Sequence, residues 1–160
     1  MTFDNSKTII NLRIRFFVMT VLFLAFLVLT YFARIIKYPV LGMGDTAWTL
    51  VFVALFLIVA FYPMILKYQF ISYSDDGDDI ILRYFKAGMM TGRKNSVEIS
   101  KRSFTGFQVN SKYFGLIKSI VLFQKIKDRT AKYPPVYITA LKKEERAKLI
   151  RSLNSFVRRL

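Results

Sequence analysis

Two apolar stretches decide the fold of this chain: residues 16–33 read FFVMTVLFLAFLVLTYFA, and residues 46–66 read TAWTLVFVALFLIVAFYPMIL. Charged residues bound both stretches but do not interrupt them. At a rise of about 1.5 Å per residue, helices of this length cross the hydrocarbon layer of a bilayer, which is about 30 Å thick. Neither stretch has the polar face that a surface helix of a soluble protein would turn to water. The sequence therefore predicts two transmembrane spans, at about residues 16–36 and 46–66.

The segment between the two spans is short and rich in turn residues, with Pro39, Gly42 and Gly44. A connection of this kind makes the two spans an antiparallel hairpin. The predicted organisation is an N-terminal segment and transmembrane hairpin over residues 1–66, followed by a separate domain over residues 67–160.

Basic residues indicate how the hairpin is oriented. Lys7, Arg13 and Arg15 precede the first span, and most of the remaining basic residues follow the second. These flanking charges outweigh Arg34 and Lys37 in the connection between the spans. Because the cytoplasmic side of a membrane protein carries the excess of Lys and Arg, we expect both termini in the cytoplasm.

The composition excludes several kinds of chemistry. The chain has no Cys and no His, which removes disulfides, thiol nucleophiles, zinc sites of the usual ligand set and imidazole acid–base catalysis. No Gly-rich phosphate loop or nucleophile motif is present. We therefore expect a protein that is not an enzyme, has no cofactor and takes no small-molecule substrate. Its 25 Lys and Arg outnumber its 10 Asp and Glu, an excess that topology explains without nucleic acid.

After residue 67 the pattern changes from helical to alternating. Six or seven short strands are predicted, the first two joined by the turn SDDGDD at residues 74–79. From residue 141 the apolar residues return to helical spacing, with Glu144 and Glu145 in the first turn and Arg158 and Arg159 in the last. Leu149, Ile150, Leu153, Phe156, Val157 and Leu160 form the predicted apolar face of this helix.

Several segments of this domain resemble a known family. They are YSDDGDDIILRYF (73–85), the turn that ends in Gly92-Arg93, VEIS (97–100), FTGFQV (104–109), YFGLIKSIVLF (113–123) and PVYITALKKEERAKLIRSL (135–153). Together they are similar to the bacterial pleckstrin-homology-like (PH-like) domain, which often follows a two-helix hairpin in small prokaryotic membrane proteins. The resemblance implies an α+β domain: a half-open barrel of about seven antiparallel strands capped by a helix over residues 142–160. It also implies a multi-pass protein of the bacterial inner membrane.

The first predicted turn departs from the phosphoinositide-binding relatives in eukaryotes, which carry a basic loop there. Here the loop is Asp75, Asp76, Gly77, Asp78 and Asp79, which repels phosphate. Two interpretations stay open for it: a turn with solvated carboxylates, or a site for a hard cation. Five phenylalanines farther along are predicted to belong to the core: Phe85, Phe104, Phe107, Phe114 and Phe123.

Basic residues of the domain form the candidate binding surface. A polybasic surface beside a leaflet attracts anionic lipid by about 1 kcal/mol per charge, although runs of charge are also common on faces that are simply solvated. The candidate residues are Arg93, Lys94, Lys101, Arg102, Lys125, Lys127, Arg129 and Lys132.

Two functions fit these features. The first is a non-catalytic accessory or scaffold subunit of an inner-membrane complex, which binds other integral membrane subunits through its hairpin and its PH-like domain. The second is a membrane-tethered module that binds anionic lipid headgroups. We expect membrane lipids and membrane subunits as partners, and no nucleic acid.

The predicted orientation can be tested with single cysteines, because the chain has none of its own. Cysteines introduced as Ser6→Cys and Ser155→Cys should both be protected from a membrane-impermeant thiol reagent in intact cells, since both positions are predicted to be cytoplasmic. Labelling of either cysteine from outside would contradict this topology.

Overall fold

The computed structural model describes residues 1–87, 92–127 and 129–157. The chain divides into two compact units. One consists of Ile10–Pro63, and the other combines Met1–Ile9 with Met64–Leu160. We call the first the hairpin unit and the second the β unit.

Two long apolar helices make up most of the hairpin unit. Helix α1 covers Ser6–Leu27 and continues as a π-helical turn over Val28–Phe32, and helix α2 covers Asp45–Ile65. Both are long and apolar enough to cross a membrane, as predicted. Aromatic rings pack between them: the ring centroids of Phe26 and Phe52 lie 4.1 Å apart and those of Phe23 and Phe56 5.2 Å apart.

The first helix begins and ends earlier than the predicted span of residues 16–36. It begins at Ser6, whose backbone N–H donates to Asp4 Oδ1 at 2.9 Å and so satisfies one of the free donors of the first turn. It ends at Phe32, because Arg34 has a φ of 50°, which a right-handed helix cannot contain. Helix α2 ends at Ile65, before Lys67, which has a φ of 52°.

Within its described residues the β unit contains eight strands and the helix that follows them, where about seven strands were expected. All strand pairs are antiparallel. The strands are β1 Thr2–Asp4, β2 Gln69–Ser74, β3 Asp79–Lys86, β4 Asn95–Ser100, β5 Phe104–Lys112, β6 Ile117–Ile126, β7 Arg129–Lys132 and β8 Val136–Tyr137. The helix is α3, Lys143–Phe156.

The strands form two four-stranded sheets around one core. The first sheet has the order β1-β2-β3-β4, and in the second β6 pairs with β5, β7 and β8. Within the described residues no ladder joins the two sheets. Buried side chains from both sheets and α3 form one cluster, which includes Ile71, Ile99, Ile120, Leu149 and Leu153. The helix thus packs on the core through its predicted apolar face.

Helix α3 begins where the sequence predicted. The backbone N–H of Lys142 donates to Glu145 Oε2 at 2.8 Å, one half of a capping box, and Glu144 and Glu145 lie in the first turn. The structure ends the helix at Phe156. The predicted last-turn residues Arg158, Arg159 and Leu160 lie outside the described residues.

Because of strand β1, the boundary between the two units differs from the predicted boundary at residue 66. Residues 1–9 were predicted to belong with the hairpin, but Thr2, Phe3 and Asp4 pair with Ser74, Tyr73 and Ser72 of β2. The side chain of Ile9, in the second turn of α1, is buried beside Ala87 and Ala140. A cut before residue 67 would therefore remove an edge strand and part of the core.

The strand directions give the β unit two ends. At the first, which we call the connection end, β1 stops at Asp4 and β2 starts at Gln69. The chain there continues into α1 and arrives from α2. At the second, which we call the turn end, β2 stops at Ser74 and β3 starts at Asp79. Because Gln69 pairs with Lys86, β3 stops at the connection end.

Single contacts also assign the start of β6 and the last residue of α3 to these two ends. Gln69 Oε1 accepts from the backbone N–H of Tyr137 at 2.8 Å, and Tyr137 pairs with Ser119, so β6 begins at the connection end. The Lys101 ammonium lies 4.8 Å from the centroid of the Phe156 ring, so α3 finishes at the turn end. Loops of both sheets can therefore be assigned to one end or the other.

A charge placed under α3 should unfold the β unit. Leu153 is 1% exposed, so Leu153→Asp should lower the free energy of unfolding by at least about 3 kcal/mol, because the carboxylate would be buried without a partner. The loss would be measured by thermal melting of the full-length protein in mild detergent. Asn154→Asp, at an exposed neighbouring position, is the matched control and should melt like the unchanged protein. Equal melting of both variants would show that α3 does not cover the core.

Candidate functional site

The structure separates the eight predicted basic residues into two groups. Arg93 and Lys94 precede β4 at the connection end, because Asn95 pairs with Tyr84 near the end of β3. The other six lie in loops and strand ends at the turn end. Six residues of β4, about 20 Å of extended chain, separate Lys94 from Lys101. The eight residues do not form one continuous surface.

Five of the six turn-end residues present their charges to solvent around the β6–β7 hairpin. The backbone N–H of Lys125 donates to the Ser103 carbonyl at 2.8 Å, which brings the β4–β5 turn beside this hairpin. Lys125 pairs with Thr130, and Phe123 pairs with Lys132. Directly paired residues point to the same side of a sheet, and so do residues two positions apart along one strand. Lys132 pairs with Phe123, which is two positions before Lys125, so Lys125 and Lys132 share one face. The solvent-exposed members are Arg102, Lys125, Lys127, Arg129 and Lys132.

Lys101, the sixth residue, has a structural role. Its ammonium donates to the carbonyls of Asp75 and Gly77, both at 2.6 Å. It also lies over the ring of Phe156. Lys101 therefore ties the β2–β3 turn to the end of α3, and less of its charge is available to an outside ligand.

The acidic turn differs from the expected set of solvated carboxylates. Asp75 is only 9% exposed, and its carboxylate accepts hydrogen bonds from the α-amino group of Met1 and from Ser152 Oγ. Ser152 Oγ also lies 2.7 Å from Tyr73 Oη. The α-amino group reaches Asp76 Oδ1 as well, at 2.6 Å. A chain of hydrogen bonds thus runs from Tyr73 of β2 through Ser152 of α3 and the Asp75 carboxylate to Met1, the residue before β1.

Burial and hydrogen bonding shift the pKa values in this cluster. Burial by itself raises the pKa of the Asp75 carboxyl group. The hydrogen bonds from the Met1 amine and from Ser152, together with the nearby positive charges, have the opposite effect. Their combined effect is larger than that of burial, so the pKa lies below its usual 3.8. Burial raises the pKa of Tyr73 to about 12. Asp75 is therefore a carboxylate and Tyr73 a neutral phenol at neutral pH.

A shallow depression beside this cluster combines hydroxyl and basic side chains. Ser152 Oγ donates to a carboxylate whose pKa is lowered, and such a carboxylate is a weak general base for activating a hydroxyl. In the part of the chain that the structure describes, no three acidic side chains come together as metal ligands. The depression is lined by Met1, Thr2, Phe3, Asp75, Lys148, Arg151, Ser152 and Ser155.

The predicted core phenylalanines have different surroundings. Phe104 is buried, and Phe85, Phe107 and Phe123 are half-buried. Phe114 is fully exposed at the loop between β5 and β6, so its assignment to the core was wrong. The alternation of aromatic and polar residues suggested a core position for Phe114, but Tyr113, Phe114 and Gly115 have positive φ angles and form a turn.

Comparison with known proteins gives no assignment: no family model, no curated protein and no solved structure matches the chain.

The buried carboxylate should make stability depend on pH. Because the pKa of Asp75 is lower in the folded protein, its contribution is complete above the ordinary pKa of 3.8 and is lost as the pH falls through the folded value. Asp75→Asn should therefore lower the free energy of unfolding at pH 7 by about 2 kcal/mol, the range for hydrogen bonds to charged groups. Chemical denaturation in detergent at several pH values measures the difference.

The matched control is Asp79→Asn, which changes an exposed acid close to the same turn. It should leave the stability nearly unchanged at pH 7. A difference between Asp75→Asn and the unchanged protein that did not shrink as the pH falls below 3.8 would contradict the role assigned to the Asp75 charge.

Proposed function

We propose that this chain is a non-catalytic accessory or scaffold subunit of a bacterial inner-membrane complex. In this proposal the two apolar helices pack against helices of partner subunits, and the β unit, with a PH-like fold, holds a binding surface in the cytoplasm. Both termini are cytoplasmic, and the protein works without a cofactor or a small-molecule substrate.

The observation that carries the proposal is the way the sheet continues into the helices. Only Asn5 lies between β1 and α1, and only Leu66, Lys67 and Tyr68 lie between α2 and β2. Strands β1 and β2 are neighbours in one sheet. A partner that shifted either helix would therefore act on the same pair of strands, as suits a subunit that couples membrane partners to a cytoplasmic surface.

Asn5, the residue between β1 and α1, is anchored within the β unit. Its side chain is completely buried. The amide Nδ2 donates to the Gln69 carbonyl at 2.9 Å, and the backbone N–H of Ile71 donates to Asn5 Oδ1 at 2.8 Å. The backbone N–H of Asn5 also donates to the Ile71 carbonyl at 3.2 Å. These bonds fix the chain at the residue where the strand becomes a helix.

The hairpin unit leaves small side chains on its outer surface. The rings of Phe23, Phe26, Phe52 and Phe56 fill the space between the two helices. Small residues let the backbones of neighbouring transmembrane helices approach closely, where van der Waals packing drives association. Ala25, Ala33 and Ala54 are exposed in this unit, and Ala60 is half-buried.

The free edge of β5 offers a second kind of contact. This strand spans nine residues, Phe104–Lys112, and among the described strands it pairs only with β6. An unpaired edge of this length can bind an extended segment of another protein as an added strand. This edge supports the proposed cytoplasmic binding surface.

The second candidate function, binding of anionic headgroups, is favoured by the exposed turn-end cluster around Lys125 and Lys132. That cluster lies at the opposite end of the β unit from the strand ends that continue into α1 and α2. For a cluster at that end we expect a cytoplasmic protein partner in preference to lipid headgroups. Charge reversal of Lys125, Lys127 and Arg129 that abolished saturable binding to anionic vesicles would favour the second candidate.

Partner binding can be tested by enlarging the small outward residues of the hairpin. The tagged full-length protein should be purified from its own membranes in mild detergent, with identification of stoichiometric partners that stay bound at high salt. The double variant Ala25→Phe, Ala54→Phe should lose such a partner, because bulky rings would prevent close helix packing. The control is Leu24→Phe, Leu55→Phe, which changes two other exposed positions of the same helices and should retain it. If the unchanged protein were purified without any stoichiometric partner, this result would contradict the proposal.

A further inference from the structure

The loop between β5 and β6, residues 113–116, exposes large apolar side chains to an unusual degree. Tyr113 is 70% exposed, Phe114 111% and Leu116 62%. Lysines stand close by on both strands, with Lys112 at the end of β5 and Lys118 near the start of β6. We call residues 113–116 the aromatic tip.

The backbone of the tip holds these side chains outward. The N–H of Leu116 donates to the Tyr113 carbonyl at 3.1 Å and closes the turn. Tyr113 and Phe114 have φ angles of 52° and 53°, a left-handed conformation that bulky residues rarely adopt. Neither ring gains burial in the core in return. Exposed apolar groups held in a sparsely populated conformation are typical of contact sites.

The tip lies at the connection end of the β unit. Tyr137 is the cross-strand neighbour of Ser119, and its backbone N–H is bound by Gln69, the first residue of β2. From Ser119 the chain runs back three residues to Leu116, about 10 Å farther along the strand axis. This direction leads away from the turn end and past the start of β2. The tip therefore projects at the end where β1 and β2 join the two apolar helices.

We propose that the aromatic tip inserts into the lipid–water interface of the leaflet beside the β unit. The occupant is the bilayer surface itself. At this end β1 and β2 are separated by only one and three residues from α1 and α2, and both helices are long and apolar enough to span a membrane.

The chemistry of the tip matches that medium. Aromatic side chains favour the headgroup level of a bilayer, where the ring is apolar and the Tyr hydroxyl stays hydrated. The ammonium groups of Lys112 and Lys118 can extend toward anionic headgroups while their methylene stems remain in apolar surroundings. Arg93 and Lys94 add positive charge at the same end. Insertion would give the β unit a third attachment to the membrane, and it does not depend on the scaffold role.

The cysteine-free chain allows a direct test by site-specific labelling. Single variants Phe114→Cys and Ile126→Cys would each carry a polarity-sensitive fluorophore in the full-length protein. Ile126 is 52% exposed at the other end of β6 and serves as the matched control. The purified proteins would be reconstituted in vesicles of mixed phosphatidylglycerol and phosphatidylcholine. Quenching would be measured with aqueous iodide and with nitroxides attached to the lipid acyl chains.

The fluorophore at position 114 should be quenched several-fold less by iodide than the one at position 126, and several-fold more by the acyl-chain nitroxides. Lys112→Glu should reduce this difference, because it places a negative charge beside the anionic leaflet. Iodide quenching at position 114 as strong as at position 126 would overturn the proposal. Protection from iodide without nitroxide quenching would also overturn it, since the tip would then be covered by a second copy of the chain.

Discussion

The buried amide of Asn5 is the interaction on which the junction between β1 and α1 in the β unit depends. It satisfies the Ile71 N–H and the Gln69 carbonyl at the edge of the first sheet, and it does so one residue before α1 begins. Without the Asn5 side chain, two backbone groups of β2 would be buried without hydrogen-bond partners. The free-energy penalty of leaving a buried polar group unpaired exceeds the net stabilisation that its hydrogen bond provides. The side chain of Asn5 thus adds to the backbone pairing of β1 with β2, and four residues later Ile9 is buried beside Ala87 and Ala140.

A second polar arrangement closes the opposite end of the β unit. Lys101 holds the carbonyls of the β2–β3 turn, and Asp75 joins that turn to Ser152 of α3. The helix is consequently held by its apolar face against the core and by hydrogen bonds at its far end. Because each buried polar group in this network has a partner, the burial of Asp75 is tolerated. The network serves stability, and the lowered pKa of its carboxylate suits an ion-pair partner better than a catalytic base.

The two ends differ in the chemistry that they offer. The turn end presents exposed cations on the β6–β7 hairpin, and the connection end presents the aromatic tip with lysines close by. A net charge of +15 gives no indication of this division. The aromatic tip is the surface proposed to contact lipid, and the proposed protein partner would bind elsewhere on the β unit. Strand β5 runs between the two ends, and among the described strands it pairs only with β6.

The sequence by itself determined the two apolar helices, the alternating strands and the amphipathic face of α3, because each of these follows from local periodicity. Leu149 and Leu153 are buried as that periodicity requires. It could not reveal β1, since three residues carry no measurable period and their pairing partner lies some seventy positions away. For the same reason it missed the link between Asp75 and Ser152, which only the folding of α3 onto β2 creates, and it placed Phe114 in the core. Which basic residues share a surface was decided by the tertiary structure alone, because strand direction and register, not distance along the chain, determine the end at which each loop lies.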